Sequence, residues 1–261
     1  MELPEHTSAS QLSTYASCAK KYSLRYLEGA ERENTSVGLV LGSAVHAALG
    51  WWHDRKLLGH MPTLDDALRV AEADTQASLD GPPVEWGRWT EPDFREHTNT
   101  MVRFAISTLG DMPVRATEAR FTLPLIDPNT GRRLPRPLLG YYDFVLEGGR
   151  IVELKTGRAE YNDTNVRTSI QFAAYLTAMA EHRSAKALDL EILVKTKQPK
   201  LQRITLVPSP EIKQWFYQTA AAIEGAIAAG HFPPSPGFGC GYCEYKRQCL
   251  GSAEVAYGQA A

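Results

Sequence analysis

The residues with the greatest chemical potential lie in one stretch. Gly140-Tyr141-Tyr142-Asp143-Phe144-Val145-Leu146 is followed by Glu147-Gly148-Gly149 and then Arg150-Ile151-Val152-Glu153-Leu154-Lys155-Thr156-Gly157. Glu153 and Lys155 are two apart, so on a strand both side chains leave the same face. In an antiparallel hairpin, Asp143 stands opposite Glu153 only if the turn is centred on residue 148. A three-residue loop, Glu147-Gly148-Gly149, meets that condition and offers glycine for the left-handed position. A two-residue Gly148-Gly149 loop would instead put Asp143 and Glu153 on opposite faces. The first register brings two carboxylates and an ammonium to one spot. Adjacent carboxylates repel unless something positive sits between them, and an oxygen-lined octahedral site suits Mg²⁺ or Mn²⁺. Such an ion polarises a phosphate ester, while Lys155 orients or deprotonates the attacking water or stabilises the pentacovalent charge. Ile151, Val152 and Leu154 argue that this strand is buried, where an idle acid and base would be costly.

The elements that must position these groups follow from periodicity. Ser8 to Leu27 reads as a helix, capped by Ser8 or Ser10, with Leu12, Tyr15, Ala19, Tyr22 and Tyr26 near a 3.6 period. A second helix is expected from about Leu41 to Leu57, and others near 63–79 and 91–109, with a break at Gly81-Pro82-Pro83. Strand candidates are Val114 to Ile126, Leu138 to Leu146, Ile151 to Leu154, Ala187 to Lys195 and Leu201 to Val207. Helices are expected from about Thr164 to His182 and Pro210 to Ala229. Helices first, a sheet in the middle and helices after it describe an α/β domain with a helical insertion at 58–112.

Composition narrows the classes. With 261 residues, 43% of them apolar and a formal charge of -2, the chain holds enough for a sizeable core, as one large domain or two small ones. Collagen-like, disordered and coiled-coil classes are excluded. No run approaches the roughly 18 apolar residues of a membrane span. The first residues lack the basic and apolar regions of a secretory signal, so a cytoplasmic protein is the default expectation. Basic clusters are modest: Lys20, Lys21 and Arg25; Arg132, Arg133 and Arg136; Lys195, Lys197, Lys200 and Arg203; Lys246 and Arg247. Each reads first as a solvated face.

The four cysteines form one pattern, Cys18 far upstream and then Cys240-x-x-Cys243-x5-Cys249 in a Cys-rich segment at 233–252. Three closely spaced thiols with a remote fourth suit a single tetrahedral site for a [4Fe-4S] cluster or zinc. Structural zinc more often pairs two short knuckles, and Cys18 has no such companion.

Gly140-x-x-Asp143 followed by Glu153-x-Lys155-Thr156-Gly157, with Gly42-x-x-x-His46 before and Gln171-x-x-x-Tyr175 after, resembles the RecB-like exonuclease branch of the PD-(D/E)XK nuclease superfamily. The motifs keep the family's order over roughly residues 8 to 250. Gly-Tyr-Tyr-Asp replaces a literal Pro-Asp, and Glu153 stands where this branch more often has Asp. The resemblance implies a restriction-endonuclease-like core, a central mixed sheet flanked by helices, within a single domain spanning 1–261. It implies metal ligands His46, Asp143, Glu153 and the backbone carbonyl of Leu154, with Lys155, Gln171 and Tyr175 completing the catalytic set. Glu118 is a candidate outer-shell acid, and Arg158 a candidate phosphate contact. One N-terminal and three C-terminal cysteines bracketing the core resemble the iron–sulfur staple of CRISPR-associated RecB-like and AddB-type nucleases, which favours [4Fe-4S] on Cys18, Cys240, Cys243 and Cys249. The implied activity is metal-dependent hydrolysis of DNA, from an end and on single strands. Trp86, Trp89 and Phe94 of the insertion are candidates to stack bases. A helicase or a CRISPR integrase is the partner the family would offer. The alternative is a DNA-end-binding subunit that cleaves weakly or only within such a complex.

Overall fold

The computed structural model describes residues 3–183 and 185–250. Ser8 caps the first helix by accepting a hydrogen bond from the Gln11 N–H at 3.2 Å. The expected single helix is in fact two, α1 (Ala9–Ser17) and α2 (Ala19–Tyr26), because Cys18 adopts an extended conformation between them. That break turns Cys18 out of the helical path, and its Sγ accepts the Ser235 N–H at 3.4 Å.

A two-residue strand β1 (Thr35–Ser36) leads into α3 (Val37–Leu57), which starts four residues before its expected beginning because Ser36 caps it. Helix α4 (Leu64–Leu79) opens with a Thr63/Asp66 capping box. Strand β2 (Val84–Glu85) pairs in parallel with β1, and α5 (Glu91–Leu109) follows with Thr90 as its cap.

Five strands then form one sheet in sequence order: β3 (Val114–Leu123), β4 (Leu138–Leu146), β5 (Arg150–Gly157), β6 (Ala187–Val194) and β7 (Lys200–Leu206). All neighbours are antiparallel except β5 and β6, whose parallel pairing requires a crossover. The crossover is helical. The expected helix at 164–182 divides into α6 (Asp163–Arg167) and α7 (Ile170–His182), since Ser169 takes an extended conformation and caps the second piece.

The sheet is covered on both faces. On one face α1, α7 and α8 (Pro210–Ala228) bury Leu12, Leu176 and Phe216 against Tyr142, Ile151 and Leu190. On the other, α3, α4 and α5 bury Leu49, Ala71 and Met101 against Phe144, Val152 and Leu154. Each such large side chain contributes about 1.5–3 kcal/mol. The split between Ile151 on one face and Val152 and Leu154 on the other is the period-2 alternation that sends Glu153 and Lys155 toward α7.

Glycine is required where elements come closest. A Cβ on Gly140 would lie 2.4 Å from the Phe121 ring, which covers it from the paired strand. A Cβ on Gly42 would meet Thr156 Oγ1 at 3.1 Å, so Gly42 lets α3 press against β5.

The chain's two ends meet. A 3₁₀ turn (Phe238–Tyr242) and α9 (Lys246–Leu250) close the described region. The Lys20 N–H donates to the Pro233 carbonyl, Lys21 pairs with Glu244 at 2.7 Å, and the Glu33 carboxylate accepts the Arg247 and Gln248 N–H groups. A buried bidentate pair, Arg136 with Glu224 at 2.8 Å, ties β4's approach to α8, and the guanidinium also reaches Tyr22. Among the described residues, no helix is long and apolar enough to cross a membrane.

Candidate active site

The site begins where two strands part. β4 and β5 pair at Phe144–Val152 and Val145–Ile151, which is the register of a turn centred on residue 148, with Gly148 and Gly149 both at positive φ. The pairing goes no further. Beyond it the strands open as a fork, and Asp143 and Glu153 are the first residues of its two prongs. The Leu154 N–H, which the fork would leave without a strand partner, donates to Asp143 Oδ2 at 2.8 Å.

Around the fork the groups converge. Lys155 Nζ donates to Glu153 Oε1 at 2.5 Å and to Gln171 Oε1 at 2.8 Å. Gln171 Nε2 donates to the same Glu153 oxygen at 2.8 Å and lies 3.1 Å from the Tyr175 hydroxyl. One turn of α7 places Gln171 and Tyr175 on a single face, and Ser169 fixes where that turn begins. His46, from the middle of α3, brings Nδ1 to 3.8 Å from Asp143 Oδ2 and makes a backbone hydrogen bond with Leu154. Thus His46, Asp143, Glu153, Leu154, Lys155, Gln171 and Tyr175 all border one spot.

The electrostatics are those of a site wanting a cation. Burial, and after it the neighbouring Asp143, push the Glu153 carboxyl up to about 8. Glu153 is 2% exposed, and its Oε2 is buried with no hydrogen-bond partner. An acceptor abandoned in this way is expensive unless a positive group meets it. Burial holds the His46 imidazole below the ordinary histidine range, outweighing the upward pull of Asp143. The ring is therefore neutral, the form that ligates metal. Burial pulls Lys155 down, but Glu153 and Asp143 more than offset it, so the side chain is an ammonium. Oxygen donors, one neutral imidazole and an orphaned buried carboxylate oxygen fit a hard divalent ion.

Two further groups flank the fork. Glu118 on β3 sits at φ 44°; the residue is exposed as a whole, but partial desolvation of its carboxyl raises the pKa first, followed by Asp143 and Asp54. Arg158 lies one residue past β5 and helps line a hollow of about 440 Å³ with Lys155, Tyr161, Asn165, Gln171 and Phe172. A larger surface hollow of about 690 Å³ lies between Pro128, Glu181 and Trp215 and contains none of the acid, amine or imidazole groups named above. Of the three aromatic residues expected to stack bases, Phe94 is excluded. It is buried in the α3–α5 core, with Trp86 packed edge-on against it at 5.5 Å. Trp89 instead stacks on His97 at 5.0 Å.

The four cysteines come to one corner, at the junction of α1, α2 and the C-terminal segment. All are half-buried. Burial raises the Cys249 thiol, and Cys18, Cys243 and Cys240 each raise it further; Cys243 is likewise raised by burial and in part by Cys18. Among the described residues, no three His, Cys, Asp or Glu side chains form a closed ligand cage.

No functionally curated protein matches the chain. Among solved structures, a chain from Eubacterium rectale described as a "Putative exonuclease" superposes with a TM-score of 0.58 at 15% identity, covering 94% of this chain and 88% of that one. That likeness shows the fold alone. A second structure, SSO0001, is 11% identical with a TM-score of 0.41 over 92% of this chain and 94% of its own, too distant to carry an argument. The family model for the PD-(D/E)XK nuclease superfamily matches residues 6–250, from before α1 to the end of α9 and across the whole fork. The chain belongs to the PD-(D/E)XK nuclease superfamily.

Proposed function

We propose that this nuclease is a divalent-metal-dependent DNase that degrades single-stranded DNA from an end and carries a structural [4Fe-4S] cluster. The observation that carries the hydrolytic reading is the orphaned Glu153 Oε2, buried beside Asp143 at the mouth of the fork. His46, Asp143, Glu153 and the Leu154 carbonyl would hold Mg²⁺ or Mn²⁺. When bound, the ion supplies Lewis-acid polarisation of a phosphate oxygen and lowers the pKa of a water.

The protein's own groups do the rest. Lys155, kept as an ammonium by Glu153, stabilises the negative charge that develops on the phosphate as water attacks phosphorus and the sugar oxygen leaves. Gln171 bridges Lys155, Glu153 and Tyr175, so it fixes the amine's position and prevents it from swinging onto Asp143. Asp143 keeps its orientation through the Leu154 N–H.

For the cluster, the donor set is four thiols in one corner, with Cys18 brought there by the break between α1 and α2. Its ligands would join the start of the chain to its last described helix, an arrangement suited to a staple and not to electron transfer. Closing so long a loop constrains the unfolded chain strongly.

The test is cleavage of end-labelled single-stranded, duplex and overhang DNA by anaerobically purified protein with Mg²⁺ or Mn²⁺. Lys155→Ala and Asp143→Asn should each lose about two to four orders of magnitude in rate with the cluster's absorbance unchanged. Cleavage at wild-type rates in both variants would remove the assigned site. Retention of DNA without degradation under saturating Mn²⁺ would instead describe an end-binding subunit dependent on a helicase or integrase partner.

A further inference from the structure

On the β3 side of the fork the acids Glu118 and Asp54 stand near each other, with Arg120 two residues along the same strand. The opposite flank carries Arg158, Lys195 and Arg88, and among the described residues none of these three has a carboxylate within ion-pair distance.

Their placement is continuous. Arg158 shares the catalytic hollow with Lys155. Lys195 directly follows β6, where its N–H donates to the Gly157 carbonyl at 2.8 Å, and its Nζ lies 3.4 Å from the Gly38 carbonyl in the first turn of α3. The β1–β2 pairing holds residues 84 and 85 beside residues 35 and 36, which brings the Arg88–Trp89 loop to the same end of α3. There the Arg88 guanidinium lies over the Trp89 ring at 5.6 Å, and Trp89 stacks on His97 at an interplanar angle of 24°. The electrostatic coupling agrees with this row. Burial and then Arg158 hold Lys195 down, and burial, Lys195 and Arg88 hold His97 down. Cations crowded together without counter-charges cost free energy, and a polyanion would relieve that cost.

We propose that Arg158, Lys195 and Arg88 form a sequence-independent track for the phosphates of the DNA strand beyond the scissile bond, with Trp89 holding Arg88 flat against the insertion. The proposal rests on the nuclease reading and adds to it the side on which the strand runs: past the amino end of α3 and away from Glu118. Arg158 makes the track continuous with Lys155, so a strand bound along it already has a phosphate at the fork. The contacts are to backbone charge alone and discriminate no base.

The test is binding of a fluorescein-labelled oligothymidylate to the full chain in EDTA, by anisotropy over a salt series. Arg88→Ala and Lys195→Gln are each expected to weaken binding several-fold at low salt. Each should also flatten the plot of log affinity against log salt by about 0.7, the increment for one single-strand phosphate contact. Arg133→Gln, an equal charge change on the exposed turn before β4, is expected to leave the slope unchanged. Arg88 is exposed on a loop, so its variant reads binding and not folding. Slopes unchanged in both track variants, or changed equally by Arg133→Gln, would overturn the proposal, as would a wild-type protein that does not bind the oligonucleotide. A wild-type protein that binds with the expected slopes but cleaves nothing with added metal would leave the track standing and remove the DNase reading.

Discussion

Glu153→Gln probes the physical core of the site without relying on catalysis. In the folded chain burial raises the Glu153 carboxyl to about 8, against an ordinary value of 4.5. Between those values the folded state holds a proton that the unfolded chain has released. Stability without a divalent ion is therefore greatest below the unfolded value and falls as pH rises toward the folded one. The ceiling is about 1.4 kcal/mol per pH unit. Lys155, 2.5 Å from the other carboxylate oxygen, compensates part of the charge. A net loss of about 1–2 kcal/mol from about pH 6 to about pH 8 is therefore expected. At about 2–4 °C per kcal/mol for a domain of this size, the wild-type melting temperature should drop by roughly 2–8 °C more than that of Glu153→Gln. Scanning calorimetry of both proteins in EDTA across that range measures it. Adding Mg²⁺ should then raise the wild-type midpoint most at the alkaline end and move the Gln variant little, because ligand binding stabilises only the state that offers the site. Parallel pH curves for the two proteins, or equal Mg²⁺ shifts, would refute the claim that Glu153 is an uncompensated acid awaiting a cation.

Other outcomes follow from the packing. Gly140→Ala should destabilise by about 1–3 kcal/mol, since the new methyl overlaps the Phe121 ring and either the ring or β4 must shift; chemical denaturation reads it directly. Arg136→Ala should cost about 3–5 kcal/mol by leaving Glu224 buried without its partner, while replacing both residues with apolar ones of similar volume should recover most of that. Cys18→Ala should release bound iron and lower the melting temperature together, measured by metal analysis and calorimetry. A variant that keeps its melting temperature with no bound metal would end the staple reading.

Much of the site could be read from the chain because it rests on local rules. The turn at Glu147-Gly148-Gly149 sets the hairpin register by loop length alone, and side-chain alternation along β5 pairs Glu153 with Lys155. Gln171 and Tyr175 are one turn apart on any helix. What was missed depended on breaks in such rules. Nothing in the apolar periodicity of 8–27 marks Cys18 as extended, because the interruption is one residue long and the period resumes after it. Phe94 reads as a candidate base platform because an aromatic residue in a helical pattern does not reveal whether its face meets solvent or Met101. The strained backbone at Glu118 lies on β3 three residues past a break in that strand's register with β4, and neither irregularity is marked by the residue types there. Lys195 and Arg88 are more than a hundred residues apart, and only the β1–β2 bridge and the β5–β6 crossover bring them to one wall.

The bond from the Leu154 N–H to Asp143 gives this aspartate a second duty. It is a brace as well as a candidate ligand, since it replaces the rung missing from the ladder where the prongs separate. Alanine at 143 would remove the acid and leave a peptide donor stranded, so collapse of the prongs would look the same as loss of chemistry. Asparagine keeps an oxygen for that donor while discarding the negative charge, which makes it the cleaner surgical tool for separating scaffolding from reactivity.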